Sequence, residues 1–356
     1  MKVAFGVFDW GLGHATRDTP LIEALLKRGH QVDIISTGRA LKILQEEFKK
    51  RCNYFDVPSI VMPYKASSSY AFRFFATLPS TLKALRRSRK VCKKILHKEK
   101  YDRVISDMRL DLYDTKENSY LITHHFGFKL FPYASSFFEA IEKYIEGKSW
   151  HFKNILVLDE KKKGLTGKLG HQLCFVNKKK KIVYLGITSR IKKLKLHKDI
   201  DYFISISGPE PQRTLFEKKI FEQISTLKGK VIVTLGRPDK DRIKKEKNIK
   251  VYSYFNKKEQ EEAMNRAKCI ICYAGYSTMM EFCELGIKEA LLLPQPTLPE
   301  QEYLADYYTK EKYFYHTILE KLDLKKDLLQ IKKYHGFKVK SKTEETVKNF
   351  LMATAL

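Results

Sequence analysis

Short apolar runs alternate with amphipathic stretches along most of the chain. Residues 2–8 (KVAFGVF) predict a buried strand, followed by a Gly-containing turn and a helix over about 15–28. Leu21, Ile22, Leu25 and Leu26 mark one face of that helix, and Gly29 stands just past its end. QVDIIS predicts the next strand, running into Thr37-Gly38. Strand, helix, strand at this spacing is a βαβ unit, which implies parallel pairing. A helix over 40–49 and strands near 103–105, 120–123 and 154–158 extend the series. A second alternating series starts at IDYFISISG (200–208). It continues with a helix over 212–227, strands KVIVTLG and IKVYSY, a helix near 257–268, strand CIICYAG, a helix over 277–285 and strand EALLLP. Helices then fill most of the remaining chain.

This order predicts an α/β protein of two Rossmann-like domains facing a central cleft. The expected boundaries are 1–188 for the first domain, 189–199 for a linker and 200–340 for the second. A helix in 341–356 is expected to pack back toward the first domain. Open parallel sheets bind ligands outside the carboxyl ends of their strands. That rule selects the loops 9–17, 106–109, 124–128, 207–213, 235–237, 254–255 and 274–281.

Composition narrows the class. The 356 residues are 43% apolar and 12% aromatic, as in a folded chain and unlike a disordered basic tail. No run reaches the roughly 18 apolar residues of a spanning helix, and MKVAFGVFDW lacks the long apolar run and cleavage site of a secretory signal. The expectation is a cytoplasmic protein. Six cysteines form no disulfide framework, and Cys269 and Cys272 lie three apart in a predicted strand, on opposite faces, so they do not converge on a metal.

The net charge of +27 is concentrated in two stretches. Between Arg73 and Lys100, ten basic residues and one acid interleave with Phe74, Phe75, Leu78, Leu82 and Leu85. That segment reads either as a helix suited to an anionic membrane surface, placing the chain peripherally on the inner membrane face, or as a solvated surface helix. Between Lys161 and Lys198 there are thirteen basic residues and no acid, which reads as a solvated hairpin and linker.

Three blocks carry candidate chemistry. In the first, Gly11-Leu12-Gly13-His14 follows the opening strand, where glycine admits a close ligand and the next helix offers free N–H groups. A dinucleotide fingerprint would need a third Gly where Thr16 stands and an acid at the end of the second strand, so NAD is not expected. The helix start disfavours an imidazolium at His14 and keeps it competent as a base; the alternative is a capping or packing histidine. In the second, Ser207-Gly208 and Arg213 lie at a strand–helix turn suited to a diphosphate, without the P-loop spacing. In the third, Gly275, Ser277 and Thr278 open a helix, and Glu281 follows one turn later, where a carboxylate can take both hydroxyls of a ribose.

In order along the chain these blocks resemble the GT-B glycosyltransferases of the MurG type. Gly275, Thr278 and Glu281 are similar to that family's Gly-x-x-Thr-x-x-Glu nucleotide loop, and Gln301-Glu302 falls where it carries Gln-Gln for the donor sugar. GLGH falls at its Gly-Gly-His turn. VYLGITSR resembles its interdomain segment, with Ile187-Thr188 replacing Asn-Pro.

The resemblance implies inverting transfer of a hexose-type sugar from a nucleotide diphosphate donor, UDP-linked, to a hydroxyl acceptor. The first domain would bind the acceptor and the second the donor. Glu281 would hold the ribose, Tyr254 and Phe255 line the base, and Ser207, Gly208, Arg213, Gly236, Ser277 and Thr278 surround the diphosphate. Gln301 and Glu302 would read the sugar; Glu302 is a departure that leaves the sugar unidentified. Gly11, Gly13, Arg17 and Arg109 would form the acceptor-side loops. ISDMR and THHFGF depart from the family's acceptor loops, so peptidoglycan is not implied, and the basic helix hints at a lipid-linked or polymeric acceptor.

For the base, His14 leads over Asp107 and His125, each at a strand end, and Asp107 or Asp111 would orient it. Aimed N–H dipoles and Arg213 would stabilise the leaving diphosphate, so no metal and no cofactor beyond the nucleotide sugar is expected. Of the two D-x-D strings, Asp199–Asp201 begins a strand and Asp239–Asp241 sits in a charged loop. The nearest rival is an epimerase or hydrolase of the same fold. A basic nucleic-acid-binding protein is more distant, because no recognisable reading motif appears and nucleic acid is not an expected partner.

Overall fold

The computed structural model describes residues 1–9, 11–57, 70–115, 117–125, 151–162, 164–171, 181–237, 243–296, 298–338 and 341–356. The described residues divide into two compact units: those up to Ser189 with Ser341–Leu356, and those from Arg190 onward to residue 338.

In the first unit, seven strands form a wholly parallel sheet: β1 Lys2–Val7, β2 Gln31–Ser36, β3 Asn53–Asp56, β4 Arg103–Asp107, β5 Ser119–Thr123, β6 Asn154–Val157 and β7 Lys181–Tyr184. Their order is β3-β2-β1-β4-β5-β6-β7. The chain steps from β1 to one side and returns on the other, so the order reverses between β1 and β4. At such a switch point the connecting helices diverge and leave a crevice at the strand ends. Helix α1 (Gly13–Lys27) packs Leu21, Ile22 and Leu25 on the sheet with α2 (Gly38–Phe48). Gly29 takes the left-handed conformation (φ +76°) that ends α1.

Helix α3 runs Tyr70–Glu99. Its Cys92 and Leu96 are buried against Ala4, Ile35, Val57, Tyr101, Val104 and Leu112, and Leu85 is buried as well. In that half of the helix the apolar stripe faces the core, and most of the basic side chains are exposed. Phe74, Phe75, Leu78 and Leu82 lie outside the described side chains. Among the described residues no helix is long and apolar enough to cross a membrane.

The second unit has a seven-stranded sheet from β8 Ile200–Ser205, β9 Val231–Thr234, β10 Ile243–Glu246, β11 Ile249–Tyr252, β12 Ala267–Tyr273, β13 Ala290–Leu293 and β14 Tyr315–His316. Its order is β10-β11-β9-β8-β12-β13-β14, parallel except for the β10–β11 hairpin. Here the reversal lies between β8 and β12. Helices α4 (Gln212–Phe221), α5 (Lys257–Arg266), α6 (Tyr276–Leu285), α7 (Pro299–Lys310) and α8 (Leu324–Gln330) complete it. The last helix, α9 (Thr343–Thr354), belongs to the first unit. Phe350, Leu351 and Leu356 join the core beneath α1, and Arg28 donates to the Leu356 carbonyl at 2.8 Å.

Several expectations need correction. The basic stretch holds no hairpin at 181–184: Lys181–Tyr184 is a parallel edge strand on β6. The helix expected over 212–227 stops at Phe221, and Ile224–Thr226 forms a separate turn of 3₁₀ helix. The helix expected to Lys268 ends at Arg266, because β12 begins at Ala267. Cys269 and Cys272 are both buried, and burial pushes the Cys269 thiol up to about 12, as expected of inert structural thiols.

Candidate active site

At the switch point of the first sheet, neighbouring strand ends supply one buried polar cluster. His14 is the second residue of α1, Asp107 ends β4, and His124 follows β5. His14 Nδ1 lies 2.6 Å from Asp107 Oδ2. Arg17, one turn along α1 and 2% exposed, donates from Nε to Asp107 Oδ2 at 3.1 Å and from Nη2 to Oδ1. Its Nη1 donates to His124 Nδ1 at 2.8 Å. Burial pushes Asp107 up, but Arg17 and His14 outweigh it and hold the carboxyl well below the usual range. Asp107 is therefore an ionised carboxylate, and a 2.6 Å approach to a ring nitrogen needs a proton between the two atoms. Arg17 Nη2 lies 2.8 Å from the same nitrogen, but the carboxylate contact is the shorter and places a proton on His14 Nδ1. The arrangement is a histidine whose ring is held by a buried carboxylate.

The structure adds residues that sequence reasoning missed. Asp18 is fully buried, and its carboxyl faces Asp107. Burial first, and the Asp107 charge second, raise its carboxyl well above the usual range. His124 was read only as part of a loop. The helical spacing of His14, Arg17 and Asp18 (i, i+3, i+4) was the available signal.

Other expected contacts fall differently. Arg109, expected on the acceptor-side loops, is buried: its Nη2 donates to Asp111 Oδ2 at 2.7 Å and to Ser88 Oγ, and its Nη1 has no hydrogen-bond partner among the described residues. Asp111 is likewise committed to Arg109 and Ser88 and does not orient His14. Arg17, expected on the acceptor-side loops, is a buried clamp on Asp107. His125 stacks edge-on against His124 at 4.8 Å, and its carbonyl accepts from Thr123 Oγ1. Gly11 (φ +76°) lies in the turn before α1, and Gly13 is its first residue. Phe128 of the 124–128 loop lies outside the described residues.

In the second unit, the loops after β8 and β12 flank the other switch point. After β8, Ser207 is exposed and Gly208 has φ +97°. A Cβ on Gly208 would meet Gln295 Oε1 at 3.1 Å and the Tyr273 ring at 3.5 Å. Gln295 and Gln212 are both buried, and the Gln295 Nε2 and both side-chain amide atoms of Gln212 have no hydrogen-bond partner among the described residues. A buried amide left unpaired costs about 1–3 kcal/mol, yet two cluster near this turn, a feature the sequence did not announce. Arg213 is partly committed: Nη1 donates to the Gly236 carbonyl at 2.6 Å, and Nε to Glu210 at 3.0 Å. Gly236 itself is required by the backbone, since at φ +61° a Cβ would sit 2.7 Å from the Ile206 carbonyl.

After β12, Gly275 is the N-cap residue of α6, with Ser277 and Thr278 in its first turn. A Cβ on Gly275 would find nothing closer than 3.9 Å, so neither packing nor its φ of −72° demands glycine there. Glu281 is largely buried, 3.9 Å from Arg190 Nε. Burial raises its carboxyl above the usual range, with Arg190 pulling the other way. The side-chain oxygen of Gln301, in α7, accepts from the Gln295 backbone N–H at 3.0 Å, while Glu302 is exposed. Tyr254 is exposed, but Phe255 is buried against Phe203 and Tyr252, so its ring is not available to line a base. The Asp199–Asp201 string is fully engaged: Asp199 pairs with Lys230 and Arg266, and Asp201 with Lys268. Asp239–Asp241 lies outside the described residues.

Comparison with known proteins now bears on this geometry. CalG4, the calicheamicin glycosyltransferase, superposes with a TM-score of 0.63 at 11% identity, covering 99% of this chain and 94% of that one. MurG from Acinetobacter baumannii gives 0.53 at 12%, covering 98% and 94%. The spinosyn rhamnosyltransferase SpnG, complexed with thymidine diphosphate, gives 0.56 at 12%, covering 100% and 92%. At these identities the likeness establishes the two-domain GT-B fold. Residues 1–125 match the model of glycosyl transferase family 1, and residues 209–353 that of the glycosyltransferase family 28 C-terminal domain. The chain is a GT-B glycosyltransferase. No curated protein matches it in sequence. Within the glycosyltransferase, the His14 cluster lies in the part matched by the first model, and the Gly275–Glu281 loop in the part matched by the second.

Proposed function

We propose that the enzyme transfers a hexose-type sugar, with inversion and without a metal, from a pyrimidine nucleoside diphosphate to a hydroxyl acceptor. The observation that carries this reading is the 2.6 Å pair of His14 Nδ1 and Asp107 Oδ2 at a sheet switch point. His14 Nε2 takes the proton of the acceptor hydroxyl as its oxygen attacks the anomeric carbon. Asp107 stabilises the imidazolium that forms, and the diphosphate departs from the opposite face, which inverts the anomeric centre. A placed base is worth about 10²–10⁴-fold.

The donor is assigned to the second unit. Gly275 has no structural need to be glycine, which suits close approach of a diphosphate to the first turn of α6. Ser207, Gly208, Ser277 and Thr278 offer hydroxyls and N–H groups, and the unpaired amides near Gly208 suit a polar ligand. Glu281 takes the ribose, Tyr254 borders the base, and Gln301 and Glu302 meet the sugar. Thymidine diphosphate on SpnG and dTDP on VinC, both of this fold, are consistent with a pyrimidine nucleotide. The resemblance to the MurG type favours UDP. Metal independence is supported by the engagement of Asp199 and Asp201 in ion pairs with lysine and arginine.

The test is incubation with UDP- and dTDP-sugars, with and without a panel of hydroxyl acceptors, in EDTA. Nucleotide release that depends on acceptor, and a product of inverted anomeric configuration by NMR, are expected. Donor consumption without acceptor identifies an epimerase or hydrolase instead, and loss of activity in EDTA refutes metal independence.

A further inference from the structure

The described half of α3 sorts its side chains onto two opposed faces. Leu85, Ser88, Cys92 and Leu96 are buried, and Val91 and Ile95 pack against the same core. Lys83, Arg86, Arg87, Lys90, Lys93 and Lys94 are exposed, and Lys98 continues the row. At about 100° per residue these cations fill an arc of about 140° opposite the buried side chains, over a length of about 22 Å. No acid stands between residues 83 and 98, and none of these cations forms an ion pair among the described residues. Glu99, the next acid along the chain, is taken by Lys2 at 2.6 Å. Polar contacts fix the rotation of the helix: Ser88 Oγ donates to Asp111, and Arg89 Nη1 to the Tyr113 carbonyl at 2.6 Å. The row is therefore held in place, of one sign, and without a countercharge of its own among the described residues.

We propose that this face of α3 docks the protein on an anionic lipid bilayer by electrostatics alone. Like charges held this close raise the potential over the face and attract a surface of opposite sign. A bilayer is a plane of headgroups and meets the whole row at once. A phosphate strand of duplex nucleic acid winds through about two-thirds of a turn over the same length, so a straight row follows only part of it. The exposed positions between 83 and 98 also hold no Asn, Gln, Phe, Tyr or Trp to reach or stack on bases. The large apolar side chains of this half are spent on the core, so none is left to insert, and attachment depends on lipid charge and on salt. Each Lys or Arg near an anionic surface is worth roughly fivefold in partition. Docking of this kind is independent of which sugar or acceptor the enzyme uses.

The test is flotation of the full-length protein with phosphatidylcholine vesicles, with and without one-third phosphatidylglycerol. At about 150 mM salt, where the Debye length is about 8 Å, binding to the anionic vesicles alone is expected. Release is expected at about 1 M, where that length is about 3 Å. Replacing three cations of the row together (Lys90→Gln, Lys93→Gln and Lys94→Gln) should weaken partition about 10²-fold. A matched control carries Lys244→Gln, Lys245→Gln and Lys247→Gln on the exposed β10–β11 hairpin. It removes the same charge elsewhere and should bind like the wild type. Exposed substitutions of this kind change stability little, so all three proteins should melt alike. No binding by the wild type, equal binding to neutral vesicles, binding that survives high salt, or the same loss in both variants overturns the proposal. A DNA duplex bound in preference to the vesicles, and lost on replacing Lys90, Lys93 and Lys94, overturns it in favour of nucleic acid.

Discussion

Replacing Asp107 with Asn probes the site with little change in shape. Asp107 accepts from three donors: Arg17 Nε, Arg17 Nη2 and His14 Nδ1. Asn offers one oxygen and an NH₂ group. If its oxygen faces Arg17, its Nδ2 faces His14 Nδ1, and two donors meet. His14 then relieves the clash by moving its proton to Nε2, the atom that should receive the acceptor's proton. The base is lost by tautomer. The expected fall in kcat is about 10²–10⁴-fold, or about 2.7–5.4 kcal/mol at 1.36 per decade. Breaking a buried ion pair costs about 3–5 kcal/mol of stability, a cost the Asn hydrogen bonds soften, against a total of about 5–15. The variant should therefore fold, with a lowered urea midpoint.

The pH dependence has a definite sign. The folded carboxyl of Asp107 is depressed, so its contribution is full above about pH 4, near the unfolded value, and disappears as pH falls through the lower folded value. Asp107→Asn should lack that share of the acid destabilisation. The assays are steady-state turnover at saturating donor and acceptor, nucleotide calorimetry and urea unfolding between pH 3 and 7. A folded Asp107→Asn enzyme with turnover within threefold of wild type would refute the orienting role.

Two further outcomes follow from buried groups and an open glycine. Folded Asp18 keeps its proton where the unfolded chain has lost it, so stability falls as pH rises from about 4. Asp18→Asn should remove that fall, gaining stability relative to wild type at pH 7 compared with pH 4; parallel unfolding curves for the two proteins would contradict this. Gly275→Ala should change stability by no more than about 0.5 kcal/mol, because its Cβ meets nothing within 3.9 Å. It should nevertheless weaken UDP or dTDP binding at least tenfold, read by thermal shift with and without nucleotide. Unchanged binding would remove the diphosphate from that turn.

Much of this architecture was readable from the chain because parallel strands are covered on both faces and appear as uninterrupted apolar runs. VAFGV, VDIIS, CIICY and ALLL stand out for that reason. The edge strands do not. Asn53–Asp56, Ile243–Glu246 and the two-residue Tyr315–His316 are polar or too short to carry a period, and their pairing is set by the neighbouring strand. In the site, the strand-end rule found His14 and Asp107, but no local pattern joins residues 93 apart into a pair. Asp18 was missed, and the burial of Arg17 and Arg109 was not foreseen, for one reason. Charged residues are expected at the surface, whereas here the carboxylates Asp107 and Asp111 make buried arginine tenable. Phe255 erred the other way: an aromatic at a strand end looked like a base platform, but packing with Phe203 and Tyr252 claimed it.

Glu281 offers the most direct examination of nucleotide recognition. Its largely buried carboxyl, at the end of the first turns of α6, has Arg190 as its nearest cation at 3.9 Å. A hydrogen bond to a charged group contributes about 1.5–3 kcal/mol, or roughly 10- to 150-fold in affinity at 1.36 kcal/mol per decade. Titration calorimetry of UDP and dTDP into the wild type and Glu281→Ala should show tight binding of at least one nucleotide, weakened by that factor in the variant. Equal affinity in both proteins, or no binding of either nucleotide to the wild type, would contradict a nucleoside diphosphate held by this loop.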